Sequence, residues 1–461
     1  MSPDGSKSEL IRRAIGGVQE LQSKSSLELE NWHKTQQRLV PPHVPLPSGE
    51  LCLITEDGLE ALHDYGMRWR EEDAERTKRV DAAGAAQLSA RVFGEMLAGE
   101  ALKEMDPTTD ARRAFEQLLA ASLDALCQEI EFSFPCCLFD DEAVPSFLVG
   151  PVRFQRRSEW LNCVVSRAKP ITPPWVDDVE SLWDGRCMDP PAHDPTAKAV
   201  CEDFSSKWVA VVTVTGYTRK AADAAAKVAV RIALDTLGLP LGAPLAQNLR
   251  GPGDALRARR ERTFMQGQGR DITYSTSFDI PRIALRPGDC AQFMADTNRL
   301  RLAAGKAVRT LLELKPSSST PNLLRRWAEA MHWFGAARRE SVPAIALVKF
   351  GVSLDVLARG MRASGILKLC SNLFDMNDTD RATSDGRNLK QLINAIYNDG
   401  RSQIAHGGNL FLLGDVPVEK SVADYTVSSA LDLYIRFLDV YSGADDHEAF
   451  LRTIPTLRSL L

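Results

Sequence analysis

After Cys290 the sequence becomes a nearly unbroken series of helical patterns, and this change limits the possible fold more than any other feature. Apolar residues recur there at the spacing of helices that bury one face. The predicted helices cover residues 291–314, 321–339, 344–359, 365–374, 387–399 and 422–441. Thr320 is a predicted N-cap, and Pro321 occupies the first position of the helix that follows. The sequence therefore predicts an all-helical bundle over residues 287–461.

The preceding part of the chain mixes helical and strand patterns. Helices are predicted at residues 9–39, 56–103 and 110–128, and an alanine-rich helix at 221–237. Strand patterns lie at 131–135, 146–154, 208–215 and 272–278. Because 461 residues exceed one ordinary hydrophobic core, the chain should contain more than one domain. We expect a mainly helical protein whose α+β region, residues 1–286, is helical to residue 130 and mixed α and β over 131–286.

The composition argues against several classes of protein. A formal charge of −5 gives no basic footprint for coating long duplexes, although it leaves room for a local basic cleft. No apolar run approaches the length of a membrane span, and the N-terminus lacks the apolar core of a signal peptide. The nine cysteines are scattered and form no CxxC pair. These features predict a cytoplasmic protein with no membrane partner, no metal and no cofactor.

The segment that follows the predicted helix 387–399 carries the clearest chemical signal. Arg401 is followed five positions later by His406, with glycines before the arginine and after the histidine. In a continuous α-helix these side chains would lie on different faces, but the long arginine side chain and the glycines allow them to meet. An imidazole transfers protons near neutral pH, and a guanidinium binds charge on phosphate. The pair therefore suits metal-free cleavage of a phosphodiester.

This segment resembles the HEPN superfamily of all-helical domains, and in particular its ApeA-type branch. That family has an arginine, four to six further residues and then a histidine, which here reads Arg401-Ser402-Gln403-Ile404-Ala405-His406. Residues 327–339 and 347–357 are similar to two earlier helices of the family's bundle. Asp355 stands where the second of these often has a glutamate, and Ser402 stands where asparagine, aspartate or histidine is common. The resemblance covers residues 290–461.

The resemblance implies a metal-independent endoribonuclease that acts as a homodimer. The ribose 2′-OH would be the nucleophile, and the products would be a 2′,3′-cyclic phosphate and a 5′-hydroxyl. His406 would move the protons and Arg401 would bind the non-bridging oxygens. Because one histidine cannot easily serve both sides of the phosphorus, two copies would pair through the C-terminal helical domain. The supporting residues of such a site are Asp355, Tyr397, Asp399, Ser402 and Gln403.

An α+β region followed by a HEPN-like bundle also resembles the arrangement of prokaryotic anti-phage defence effectors and toxins. The partners implied are RNA and a phage-derived trigger, with residues 1–286 acting as a sensor or regulator. A weaker RNA-binding hypothesis concerns a predicted basic helix next to glycine-rich loops. Its arginines are Arg257, Arg259, Arg260 and Arg262. The alternative for these four residues is an ordinary solvated face, diluted by the nearby acidic residues.

Two other functions fit the same sequence. The first is a HEPN-like bundle that binds nucleotide or RNA, or mediates assembly, without cutting. The second is a metal-dependent nuclease located in residues 131–286. Apart from these functions, Arg401 could simply cap a helix or pair with Asp399, and His406 could be a surface residue with satisfied hydrogen bonds. A cleavage assay in EDTA with variants of Arg401 and His406 separates these possibilities.

Overall fold

The computed structural model describes residues 6–35, 42–99, 110–168, 175–183, 196, 200–201, 206–254, 259–265, 273–279, 283, 285, 288–405, 416 and 418–460. Most of these residues are helical, and the strands form small sheets, so the prediction of a mainly helical chain is confirmed. The chain divides into two compact units. The first contains Met1–Ile130 and Val214–Ala225, and the second contains Glu131–Thr213 and Ala226–Leu461.

The first unit is a group of helices with a short β-ribbon. Its elements are α1 (Lys7–Gln22), α2 (Ser26–Thr35), β1 (His43–Pro45), β2 (Leu51–Leu53), α3 (Glu56–Glu71), α4 (Ala74–Arg79), α5 (Ala82–Ala98) and α6 (Asp110–Leu126). The strands β1 and β2 pair antiparallel. Tyr65 and Phe93 both meet Phe115 edge-on in the core. Lys7 is 8% exposed and pairs with Glu116 at 3.0 Å, so its buried charge is neutralised.

Most residues of a four-stranded sheet, in the order β3-β6-β5-β4, belong to the second unit. The strands are β3 (Gln128–Cys136), β4 (Phe147–Val149), β5 (Val152–Arg156) and β6 (Trp208–Tyr217). β5 pairs antiparallel with both neighbours, and Val152 lies opposite Val149 and Val212. Buried β-branched and aromatic residues fill β6, which explains its strong strand signal. The helices and strands that follow are α7 (Arg157–Ala168), α8 (Trp175–Trp183), α9 (Arg219–Gly238), α10 (Ala243–Ala246) and the antiparallel pair β7 (Arg259–Met265) and β8 (Thr273–Asp279).

The remainder of the second unit is helical. Its elements are α11 (Asp289–Asp296), α12 (Asn298–Leu312), α13 (Pro321–Arg338), α14 (Pro343–Leu357), α15 (Arg362–Phe374), α16 (Leu389–Asn394), a π-helix (Ala395–Ser402), α17 (Gln403–Ala405), α18 (Lys420–Val440), α19 (His447–Leu457) and a 3₁₀ turn (Arg458–Leu460). Helices α13, α14 and α18 pack together. The Trp327 indole donates to the Leu431 carbonyl at 2.9 Å, and Ser353 donates to the Ala330 carbonyl at 2.8 Å. These buried bonds fix α13 between the other two helices.

Three details of the second unit differ from the sequence prediction. The predicted helix 291–314 is two helices, because the chain turns at Thr297, whose hydroxyl bonds back to the Phe293 carbonyl at 2.7 Å. Thr320 precedes α13, but its side chain makes no capping bond. Asp445 performs that role instead, accepting the Asn322 and Leu323 N–H groups at 2.8 and 3.0 Å. The predicted basic helix is also wrong, since Arg259–Met265 is the strand β7.

Candidate functional site

The candidate site lies on a π-helix that packs closely against α14. Helix α16 begins with a capping box between Asn388 and Gln391, and the chain then widens into the π-helix Ala395–Ser402. A Cβ on Gly400 would come within 2.6 Å of Leu347 Cδ2, and one on Gly351 within 2.6 Å of Arg401 Cβ. The two glycines therefore allow the helices to approach at Arg401. Single π-turns inside α-helices occur frequently at functional sites.

Arg401 is held on this surface by an aromatic ring and a carboxylate. Its side chain is 32% exposed, and its guanidinium carbon lies 5.3 Å from the centre of the Tyr397 ring. Nη1 donates a long hydrogen bond to the Tyr397 hydroxyl at 3.5 Å, and Nη2 lies 4.0 Å from Asp355 Oδ2. Contacts of this length orient the guanidinium but leave N–H groups for an anion. The arrangement can thus accept a phosphate without breaking a tight ion pair.

Tyr397 connects the arginine to Asp355. Its side chain is 4% exposed, and its hydroxyl donates to Asp355 Oδ2 at 3.3 Å. Burial raises the pKa of the Tyr397 phenol, and the Asp355 charge raises it further, while Arg401 and Arg362 oppose the shift. The phenol therefore stays protonated near neutral pH. It can keep donating to the carboxylate while it receives the Arg401 N–H.

Asp355 also organises the turn that joins α14 to α15. Its side chain is 16% exposed, and its second oxygen, Oδ1, accepts the Arg362 backbone N–H at 3.1 Å. Its own carbonyl accepts the Gly360 N–H at 2.7 Å. One carboxylate therefore bridges the π-helix and the start of α15. The sequence predicts Asp355 as a supporting residue, and the structure brings it together with Tyr397 and Arg401.

The other sequence-predicted residues are distributed differently. Ser402 is partly buried at the end of the π-helix. Asp399 is partly exposed and lines a shallow depression of about 560 Å³ with Arg387, Gln391 and Asn394. The backbone of Gln403 begins α17. His406 lies outside the described residues.

For the weaker RNA-binding hypothesis, the structure describes the backbone of three of the four arginines. Arg257 is outside the described residues, and the other three belong to β7. In the register of the β7–β8 pair, Arg259 stands opposite Asp279, Arg260 opposite Phe278 and Arg262 opposite Thr276. Arg259, Arg260 and Arg262 therefore lie in a strand and not in the basic helix that the hypothesis assumed. A role in RNA binding for these residues remains a prediction.

Arg362 is the residue near the site that the sequence analysis did not identify. It falls between the predicted helices 344–359 and 365–374, where no periodic signal marks it. The predicted connector, residues 360–364, has Arg362 as its one charged residue. Its proximity to Tyr397 depends on a turn conformation that a sequence pattern does not specify.

Within the described ranges, no group of three or more histidine, cysteine, aspartate or glutamate side chains could hold a metal ion. Among the helices that the structure describes, none is both long and apolar enough to cross a bilayer. Comparisons with models of known protein families, with curated proteins and with solved structures found no match.

Proposed function

We propose that this protein is a metal-independent endoribonuclease in which Arg401 and His406 carry the reaction. The observation that carries the proposal is the half-buried Arg401, oriented by Tyr397 and Asp355 yet able to bind an anion, five positions before a histidine. The resemblance of residues 290–461 to HEPN domains supports the same activity. RNA is the substrate class because its 2′-OH supplies a nucleophile without a metal or a serine.

The reaction follows from the two side chains. The ribose 2′-oxygen attacks phosphorus, its proton passes to an imidazole, and the bond from phosphorus to the 5′-oxygen breaks. A second acid protonates the leaving 5′-oxygen, giving a 2′,3′-cyclic phosphate and a 5′-hydroxyl. Arg401 donates to the non-bridging oxygens as negative charge grows on them. Since base and acid stand on opposite sides of phosphorus, we propose that His406 of each of two copies supplies one of them.

The supporting residues have roles that the contacts suggest. The Asp355 carboxylate attracts the Arg401 guanidinium and orients it through Tyr397. At a distance of 4.0 Å this attraction is modest, so a phosphate can compete for the same guanidinium. Ser402 and Gln403 follow Arg401 directly and are proposed to orient Arg401 or the substrate. Asp399 is a less central candidate, since it lines the depression beside Arg387.

The decisive experiment uses full-length wild type with the variants Arg401→Ala and His406→Ala. Each protein is incubated with a mixed-sequence RNA in EDTA, and the ends of the products are identified. Wild type should cut and leave cyclic-phosphate ends. Each variant should lose about 100-fold or more in rate, as when one transition-state donor is removed. Arg452→Ala is the matched control, because Arg452 is exposed on α19 and should cut like wild type.

Other results would overturn the proposal in identifiable ways. Equal cutting by all variants would remove this site from the reaction. Cutting that EDTA abolishes and that His406→Ala preserves would favour a metal-dependent nuclease within residues 131–286. Binding of RNA by wild type without any cutting would favour a HEPN-like binding or assembly module. The contacts of Arg401 with Tyr397 and Asp355 make that module the second candidate, because they give the arginine a structural role.

The biological context is a further part of the proposal. The HEPN resemblance supports a prokaryotic defence effector or toxin that acts in the cytoplasm and cuts RNA after a phage-derived trigger. Residues 1–286 would restrain the nuclease until that trigger arrives. Every assay uses the full chain.

A further inference from the structure

The turn between α14 and α15 has an unusual backbone. Arg359, Gly360 and Arg362 all adopt left-handed conformations, with φ of 63°, 71° and 58°. Glycine adopts this conformation freely, whereas an arginine pays for it through contacts of its Cβ. Non-glycine residues held in such conformations cluster at functional sites and persist because their surroundings fix them. Two left-handed arginines in one short turn therefore call for a physical cause.

A hydrogen bond to Asp355 holds the backbone of Arg362 in its left-handed conformation. Oδ1 accepts the Arg362 N–H at 3.1 Å, and the Asp355 carbonyl accepts the Gly360 N–H at 2.7 Å. Oδ2 of the same carboxylate accepts the Tyr397 hydroxyl and lies 4.0 Å from Arg401 Nη2. The backbone of Arg362 and the guanidinium of Arg401 thus meet opposite oxygens of one side chain. This bridge fixes the start of α15 relative to the π-helix.

Arg362 adds a positive charge beside Asp355, because its backbone N–H bonds to that carboxylate. Its side chain is exposed, and the Asp355 carboxylate that its backbone contacts also accepts the Tyr397 hydroxyl that supports Arg401. The charge of Arg362 opposes the rise in the pKa of the Tyr397 phenol. Asp355 carries one negative charge and the two arginines carry two positive charges. The cluster therefore has a net charge of about +1 on a protein whose total is −5. A cationic, partly exposed cluster of this kind attracts a chain of phosphates.

We propose that Arg362 is a second phosphate-binding residue of this site, contacting an RNA phosphate adjacent to the one that Arg401 binds. The inference rests on the proposed function for the identity of the ligand, RNA. Arg362 binds a phosphate that does not react, so it stabilises the bound substrate and the transition state equally. Its loss therefore changes KM and leaves kcat unchanged. Arg401 differs, because its loss lowers kcat.

The test compares Arg362→Ala with Arg359→Ala. Both arginines are exposed and left-handed in the same turn, but Arg359 is directed to Asp446, with 3.8 Å between Nη1 and Oδ2. Binding is measured with a single-stranded RNA that carries 2′-O-methyl groups and cannot be cut. Arg362→Ala should weaken binding about five- to tenfold and reduce the slope of log K against log salt by about 0.7, the value for one lost phosphate contact. Arg359→Ala should bind like wild type.

Two additional variants separate the side chain from the backbone. Arg362→Gly removes the guanidinium and relieves the left-handed strain. It should bind RNA as weakly as Arg362→Ala, but it should melt at a higher temperature than Arg362→Ala. Arg362→Lys keeps the charge without the planar fork and should bind with intermediate affinity. Wild-type binding by Arg362→Gly would overturn the inference, since it would assign the effect of Arg362→Ala to strain.

The outcomes distinguish the inference from the function on which it rests. If wild type binds the uncuttable RNA and Arg362→Ala binds less well, the phosphate site stands, even if no cuttable RNA is cleaved. If RNA is cleaved through Arg401 while Arg362→Ala and Arg359→Ala bind and cut alike, the nuclease stands and the inference fails. A wild-type protein that binds no RNA at low salt also overturns it. In the cleavage assay, a fall in kcat for Arg362→Ala with KM unchanged would contradict the proposed role.

Discussion

His447 illustrates how a single buried residue sets a condition on folding. It is 2% exposed at the first position of α19, and its Nδ1 makes no hydrogen bond to the described part of the chain. Burial, reinforced by the charge of Arg326, lowers the pKa of the imidazole to about 4. The folded protein therefore holds this ring neutral. A histidine kept neutral in the core is poorly suited to catalysis at neutral pH, so it does not compete with His406 for that role.

Acid should therefore weaken the fold through His447. The unfolded imidazole, with an ordinary pKa near 6.5, binds a proton before the folded one does. The stability that the neutral, buried His447 contributes is fully present above pH 6.5. As the pH drops from 6.5 to about 4, the free energy of unfolding falls by about 1.4 kcal/mol per pH unit. His447→Gln should show a smaller loss of melting temperature than wild type between pH 6.5 and pH 4. Parallel melting curves for the two proteins would contradict this prediction.

Glycine contacts determine how elements of the second unit fit together. Gly150, with φ of 59°, lies in the turn between β4 and β5, and Gly305 lies inside α12. A Cβ on Gly305 would come within 2.4 Å of the Gly150 nitrogen and 2.7 Å of its Cα. Backbone therefore meets backbone where the hairpin crosses the helix. Neither contact can be relieved by a side chain that changes rotamer.

Gly305→Ala should consequently destabilise the second unit, although alanine is the better helix former. We expect a loss of about 1–3 kcal/mol from overpacking, measured by denaturant unfolding. The matched control is Gly16→Ala, also inside a helix, where an added Cβ has no neighbour within 4 Å. That variant should gain about 0.5–1 kcal/mol. A gain for both substitutions would show that the hairpin can shift away from α12.

The sequence located the helices well where one amphipathic face dominates. The predicted helices 321–339 and 422–441 correspond to Pro321–Arg338 and Lys420–Val440. It did not locate α19, whose short pattern is interrupted by Pro455, or the cap that Asp445 supplies to α13 across 122 and 123 positions. It also failed at β7, because charged residues in a strand are set by pairing with a distant segment. Local patterns describe local structure, whereas these features depend on partners far along the chain.

In the candidate site, too, some features could be predicted from the local sequence and others could not. Arg401 could be identified from its spacing to His406 and from the apolar helix before it. Asp355 could be named as a supporting residue, but its two-sided contact with Tyr397 and Arg362 could not. The π-helix was not predictable, since its periodicity differs little from that of an α-helix over eight residues. Its formation depends on the packing of Gly351 and Gly400 against their neighbours.

At the scale of the whole molecule, the chain passes between its two compact units at residues 130, 213 and 225. A sequence read from end to end favours contiguous domains, so the discontinuous first unit was not foreseen. The division at residue 286 remains a prediction about an independent HEPN-like domain. The proposed homodimer is also a property of the whole molecule, because one reacting phosphate needs both an acid and a base.

Mixed dimers provide the test of that arrangement. Wild type is co-expressed with a ninefold excess of His406→Ala, so that most wild-type chains pair with an inactive copy. If one cleft needs both histidines, activity per wild-type chain should fall about tenfold. The same excess of Arg452→Ala should leave that activity unchanged. Full activity per wild-type chain beside excess His406→Ala would mean that each chain cuts alone, with no shared cleft.

The widened turn at Ala395–Ser402 has one more consequence. Removing a single residue there, such as the exposed Asn398, could restore an ordinary α-helix with better hydrogen-bond geometry. Arg401 would then rotate by about 100° around the helix axis and leave the Asp355 side of the bundle. A change in this segment that raises the melting temperature would thus also move the Arg401 guanidinium away from Asp355. A screen for thermostable variants that ignored activity would tend to select deletions that straighten this turn, and with them chains that no longer carry the site.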